Sequence, residues 1–346
     1  MRFAPLALPI GVVISLVAST VDTTAQTPEA FYRGKQITMI IAGGVGGGYD
    51  LYARTFGRYL GRHIAGEPQI IPKNIPAAGG LAGANALFTN TEHDGLTIGA
   101  LTSSSTLDPL FASPGARFDS LKLDWLGSIG KLQNVCVTWH TSAIKTVDDL
   151  RSREVLVGGS GATSDSGVMP KVLNALLGTR MKVITGYDAG AATEMAVERG
   201  EIEGVCGLGW STFKAARPDW IRDRLINVIL QMGMNKHKEL LDVPMAQDFV
   251  VDPFKKRVLE LILLRQELGR PFAAPPDTPA DRLAALRSGF DATLQDPQFL
   301  ADAAKALMEI DPLDANATTN LLKGAYASPR AVIEQAAALV VPADAK

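Results

Sequence analysis

The chain is poor in the residues on which most extracellular chemistry depends. In 346 residues it has two cysteines and four histidines. No Cys or His stands at metal-ligand spacing from another, so a structural zinc site has nothing to be built from. Lysine and arginine total 34 against 36 acids, a formal net charge of -2, and this balance lacks the basic surplus that grips a phosphate backbone. Nucleic acid is excluded as a partner on that ground. Three loop signatures are missing as well. After the strand at 37–42 the dinucleotide fingerprint needs a third glycine at 49 or 51, where Tyr49 and Leu51 stand. There is no G-x-x-x-x-G-K-[ST] loop, and Ser160 in GGSGAT lacks the G-x-S-x-G of a nucleophile elbow because position 162 is alanine. The paired acids Asp148-Asp149 fit a helix start better than general acid–base work. With no constellation to carry catalysis, the expected class is a non-enzyme, with no cofactor and no metal.

Beyond the amino terminus no long apolar run occurs. The one there, LALPIGVVISLVAS after Arg2, spans roughly 14 residues, short for a membrane span. A positive start, an apolar stretch and small residues at Thr23-Thr24-Ala25 make residues 1–25 a secretory signal cleaved near Ala25. An uncleaved anchor is the other reading. No cysteine lies near the exit for a lipid, so the mature chain is expected to begin near Gln26 and work in the periplasm. Cys136 and Cys206 both lie beyond the signal, and an even pair in an oxidising compartment invites a disulfide. Each sits in an apolar run (NVCVTW and IEGVCGL), so two buried free thiols are the alternative.

What is abundant is glycine (33) and proline (20), in a pattern of strand, small-residue corner and helix. ITMIIAGGVGGGYDLYARTFGRYL reads as a strand, a glycine loop over 43–48 and a helix from about 49 to 63. Strand 69–75, the corner AAGGLAGANALFTN and a strand within 94–105 complete a first α/β unit. An irregular stretch, 106–128, precedes a second unit. That unit has strands at 134–139, 154–159, 182–187 and 202–207 and helices from Thr146, from 166 to 177 and over 189–200. The tail holds a strand at 227–232, a helix at 254–269 and helices starting after Pro279 and near Asp296-Pro297. Two similar lobes are implied. The C-terminal helices are expected to pack back on the first, giving lobe I from 31–128 and 230–346 and lobe II from 129–229. Three corners, Gly43–Asp50, Pro76–Gly83 and Gly158–Asp165, share one design: small residues that leave the amides of a helix start free to face an anion. Between two lobes such corners make a hinged clamp for a small negatively charged ligand.

These stretches resemble the extracytoplasmic solute receptors of the tripartite tricarboxylate transporter family, the Bug- or TctC-type receptors. The resemblance rests on Lys35–Ile41 with the glycine loop and Asp50, on Asn74-Ile75-Pro76-Ala77-Ala78-Gly79-Gly80-Leu81-Ala82-Gly83, and on Asp94-Gly95-Leu96-Thr97. It continues through Thr146–Leu150, the corner Gly158–Asp165, the turn Tyr187-Asp188-Ala189-Gly190 and GRPFAAPPDTPADRLAAL, covering nearly all of 31–310. It implies a type II periplasmic-binding-protein fold, α/β, with a parallel or mixed sheet in each lobe and a cleft between them. It also implies a monomer that takes a small organic acid and hands it to membrane permease subunits, the alternatives being an orphan sensor of the same fold acting with a signalling partner and, more distantly, a secreted α/β enzyme. Carried over by position, the ligand-binding residues are Val45, Gly46, Gly48, Tyr49, Asp50, Ala78, Gly79, Gly80, Ser103 and Ser104 from lobe I, with Ser160, Thr163, Asp165, Tyr187 and Asp188 from lobe II. The family often has His where Asp165 stands, Gly where Ala77 stands, and lysine or a similar residue where Asp188 stands. Two acids at the cleft would repel a tricarboxylate, which favours a mono- or dicarboxylate, amino-bearing ones included.

Overall fold

The computed structural model describes Met1 and residues 26–187 and 190–341. The signal-like segment over 2–25 and Asp188 therefore lie outside the described residues. No helix among the described residues is long and apolar enough to cross a membrane.

Among the described residues, eleven strands form two mixed sheets. In the first, β1 (Gln36–Ile41), β2 (Gln69–Asn74) and β3 (Thr97–Ala100) run parallel, and β4 (Asp124–Ser128) lies further out. In the second, β6 (Val155–Gly159) pairs in parallel with β7 (Met181–Thr185) and β8 (Gly204–Gly209). There β5 (Asn134–Trp139) runs antiparallel to both β8 and β9 (Ile226–Met232). Returning to the first sheet, β10 (Pro271–Ala274) runs antiparallel between β3 and β4, and the short β11 (Leu313–Asp314) borders β4. The orders are β11-β4-β10-β3-β1-β2 and β7-β6-β8-β5-β9. Each sheet is thus a parallel triple continued by the strand that enters just after the chain has crossed between lobes.

The polypeptide crosses twice, at 129–133 and at 233–270. The lobe boundary expected at 229/230 falls inside β9, whose residues up to Met232 pair in the second sheet. β4 occupies part of the stretch expected to be irregular. Flanked by β10 and β11, it buries Trp125, Leu126, Gly127 and Ser128 in succession, so its five residues show no alternation to read.

Helix formation follows local sequence. Gly48–His63 buries Tyr52, Ala53, Phe56, Tyr59 and Leu60, a stripe at helical spacing, and the Phe56 ring meets Phe272, Phe290 and Phe299 at 5.1–5.6 Å. Thr146 and Asp149 form a capping box at Val147–Ser152. Asp296 caps Pro297–Lys305, with proline in the first turn. Ala280–Gln295 and Pro297–Lys305 pack on Gly48–His63, and Ala315–Tyr326 packs on β4. The last helix, Arg330–Val340, departs from expectation by lying against Asp165–Leu177 of the second lobe and against Pro253–Leu263 in the crossing segment. The largest apolar cluster consequently runs through both lobes, from Ile40 and Leu81 to Val157, Met169, Ile262 and Val332.

Cys136 and Cys206 sit opposite one another on β5 and β8, both buried, with Cα atoms 3.9 Å apart, and are joined as a disulfide. Denatured without reductant, the protein is expected to take up no thiol label and to take up two after reduction. Loss of the bond should cost about 2–4 kcal/mol of stability. Labelling before reduction would show two free thiols.

Candidate functional site

The carboxyl ends of the parallel strands in both sheets face one another, which in open α/β sheets is where ligands bind. Three corners follow from them: Ala42–Gly48 after β1, Ser160–Ser164 after β6, and the short passage from β8 at Gly209 into the helix Trp210–Ala216. Between them lies a cavity of about 130 Å³. Its lobe I wall includes Gly48, Tyr49, Gly79, Thr102 and Ser104. Ser160, Ser164, Asp165, Ser166 and Thr212 come from lobe II, Asn134 from β5, and Arg270 from the end of the second crossing. Close packing dictates glycine at two of these places. A Cβ on Gly48 would stand 2.7 Å from Thr212 Oγ1 and 3.2 Å from Arg270 Nη2. Gly79 (φ +66°) would strike Thr163 Oγ1 at 2.7 Å.

Arg270 is the dominant charge. It is 3% exposed, and its guanidinium lies between the rings of Tyr49 and Tyr52, 4.5 and 4.3 Å from their centroids. Nη2 donates to Thr212 Oγ1 at 3.3 Å, while Nε is buried with no partner. No carboxylate among the described residues pairs with it. A buried cation left this way is costly unless an anion completes it.

Asp165, by contrast, has a counter-ion. Arg265 Nη2, 1% exposed, stands 2.9 Å from its Oδ1, close enough for an ion pair though not aligned as a hydrogen bond. Oδ2 accepts from Asn134 Nδ2 (2.8 Å), Gln266 Nε2 (3.1 Å) and Ser103 Oγ (3.3 Å). Behind this group Asp108 is buried against Ser113. Burial pushes its carboxyl up to about 6, against the pull of Arg265. The Tyr49 hydroxyl donates to Ser103 Oγ and accepts from the Ser103 amide, both at 3.0 Å, and burial raises its pKa. Ser103 thus joins Tyr49 to Asp165 across the lobes, and Thr163 Oγ1 adds a second interlobe bond to the Ala78 carbonyl at 2.8 Å. The lobes are closed on each other.

Of the residues expected from sequence, Gly48, Tyr49, Gly79, Ser104, Ser160 and Asp165 line the cavity. Ser103, Ala78 and Thr163 hold the lobes together beside it, and Gly80 is buried in the turn behind Gly79. Val45 is 73% exposed at the tip of its loop and turns away, and Gly46 lines a neighbouring pocket. Asp50 also faces away. Burial alone would raise its carboxyl, yet hydrogen bonds from the Gly46 amide, Asn74 and Arg54 outweigh that and hold it below the ordinary carboxylate value. It fixes the glycine loop. Tyr187 packs in the apolar cluster under the second sheet and lines neither pocket.

Sequence reasoning missed Arg270, Asn134 and Thr212. A signal existed for two of them. Thr212 belongs to a fourth strand–corner–helix unit, GVCGLGWST, of the same design as the other three. Arg270 is a lone charge at the mouth of an otherwise apolar strand entry, GRPFAA.

Among the described residues, no histidine, lysine or cysteine lines the cavity. The cluster His237, Glu239 and Glu309 lies elsewhere. Lys214 there reaches both glutamates, putting an ammonium where a cation would sit.

No protein-family model matches the sequence, and no curated relative matches it. Solved structures do match in fold. The periplasmic binding protein BugD superposes with a TM-score of 0.68 at 16% identity, over 89% of this chain and 97% of its own. A TctC solute-binding protein from Polaromonas gives 0.61 at 16%, over 88% and 99%. MatC from Rhodopseudomonas palustris, with bound malate, gives 0.68 at 15%, over 88% and 99%. The fold is the two-lobed α/β type II periplasmic-binding architecture, with a mixed sheet in each lobe.

Proposed function

We propose that this chain is a periplasmic receptor that captures a small organic carboxylate between its lobes and delivers it to the membrane permease of a tripartite tricarboxylate-type transporter. The observation that carries the reading is Arg270, a buried guanidinium without a counter-ion among the described residues, in a cavity whose other polar walls are hydroxyls, the Asn134 amide, glycine backbone and an Asp165 already paired with Arg265. A carboxylate completes it with paired N–H···O bonds. The helix beginning at Gly48 adds amide donors that carry no side-chain cap. Asp165 adds little repulsion, since Arg265 neutralises it. The fold shared with BugD, TctC and MatC supports a transport role over catalysis, as does a cavity without a nucleophile–base pair. Export through the N-terminal signal and removal of that segment near Ala25 are part of the proposal.

The test is titration calorimetry with residues 26–346, unfolded and refolded to strip any trapped solute, against mono-, di- and tricarboxylates and amino acids. Saturable one-to-one binding is expected with one class, without turnover. At a hundredfold Kd that ligand should add ~2.7 kcal/mol of stability. Absence of binding to every acid by the refolded protein would refute the reading.

A further inference from the structure

On the far side of the partition formed by Gly47, Gly48 and Thr212 lies a second, larger pocket of about 370 Å³. It too is bounded by both lobes: Leu51 and Tyr52 of Gly48–His63 on one side, Ala215, Ala216 and Glu194 on the other. Gly48 and Thr212 are close-packed there, so a ligand that spans both pockets must turn aside the Thr212 side chain, the part of the partition that reaches beyond Cα. The charges at the rim are accounted for. Arg54 Nε pairs with Asp50 at 2.7 Å, and Arg58 faces Asp302 at 3.8 Å.

Glu194 is different. It is 2% exposed, its Oε1 has no hydrogen-bond partner, and among the described residues no cation pairs with it. The neighbouring Arg217 is committed to Glu198 and Asp219. Burial pushes the Glu194 carboxyl up to about 7, with Arg217 opposing, so an arriving cation ionises it at small cost. Among the described residues, the closed cleft therefore holds a buried cation without a counter-ion, Arg270, and a buried carboxyl without one, Glu194, in adjoining pockets. A plain carboxylate satisfies the first and leaves the second bare.

Resting on the carboxylate reading of the Arg270 cavity, we infer that Glu194 receives the ammonium end of the same ligand, so that the solute is a zwitterion with its amine remote from its carboxylate. Such a molecule touches both lobes at both ends and clamps the closed form.

The experiment compares ω-amino carboxylates, from 4-aminobutanoate to 6-aminohexanoate, with the matching unsubstituted acids, in wild type, Glu194→Gln and Arg270→Met. In the wild type one chain length should bind about tenfold or more tighter than its amine-free counterpart. In E194Q the amine should confer no advantage. R270M should lose the amine-free acids as well. If plain acids bind in an Arg270-dependent way and the amine helps at no length, or if its advantage survives in E194Q, the zwitterion inference fails and the receptor reading stands. If no acid binds, with or without an amine, both fall. The wild-type comparison needs no variant to fold.

Discussion

Arg270→Met is expected to remove carboxylate binding while leaving a folded protein. The methionine keeps most of the apolar length of the side chain between Tyr49 and Tyr52 and loses only the guanidinium. Stripping one member of a buried, hydrogen-bonded charge pair costs about 2–5 kcal/mol of binding energy, roughly 30- to 5,000-fold in Kd. Stability without ligand should change little, because no acid is orphaned by the substitution. Its losses are the two stacked contacts, worth ~0.5–2 kcal/mol each, and the hydrogen bond to Thr212; relief of an unpaired buried charge offsets them. Arg270→Lys should fall between, retaining the charge but neither the planar stack nor the forked donor set. Calorimetry gives the affinities and denaturant unfolding the stabilities. Wild-type affinity in R270M would remove Arg270 from the site, and the carboxylate reading would lose its main support.

The parts of the architecture that were legible in the sequence are those with local causes. Apolar runs flanked by glycine corners marked β1, β2, β5 and β6 within a residue or two. The Thr146–Asp149 capping box and Pro297 marked two helix starts. β4 was hidden because it is short and buried on both faces. The lobe assignment of Arg330–Val340 depends on packing between elements far apart in sequence, which no local pattern encodes. The cleft corners were legible as corners, and small residues from 43–48, 76–83 and 158–165 do converge on one cavity. The directions of individual side chains were not. Asp50 and Val45 lie within three residues of Gly48, yet the corner aims one at Gly46 and Arg54 and the other at solvent. Arg270 reaches the cavity only because the chain recrosses between lobes just before β10, a consequence of topology.

Asp165 yields the second large effect, one on stability. Asp165→Asn keeps the shape but removes the counter-charge of Arg265, which is 1% exposed. Breaking a buried pair in this way typically costs about 3–5 kcal/mol. It also weakens the acceptor of Ser103, Asn134 and Gln266, so the closed form should loosen and the scattering radius grow. Replacing both partners, as in D165L/R265M, should recover much of the loss, since no charge is left stranded. The deficit in D165N should also vary with pH, through Asp108. In the wild type burial raises its carboxyl to about 6 from the ordinary 3.8, with Arg265 opposing the rise and Asp165 adding to it. A folded pKa above the unfolded one means that this group's contribution is full below about 4 and is lost as pH climbs through 6. Without the Asp165 charge, Asp108 is left facing an unneutralised Arg265, and its folded pKa falls. Less stability is then lost on raising the pH, and the ionised Asp108 supplies part of the missing counter-charge. The gap between wild type and D165N should therefore be widest near pH 4–5 and narrow by pH 8. A gap that is constant across that range would mean that Asp108 and Arg265 are not coupled, and that the latch consists of Asp165 and its direct partners alone.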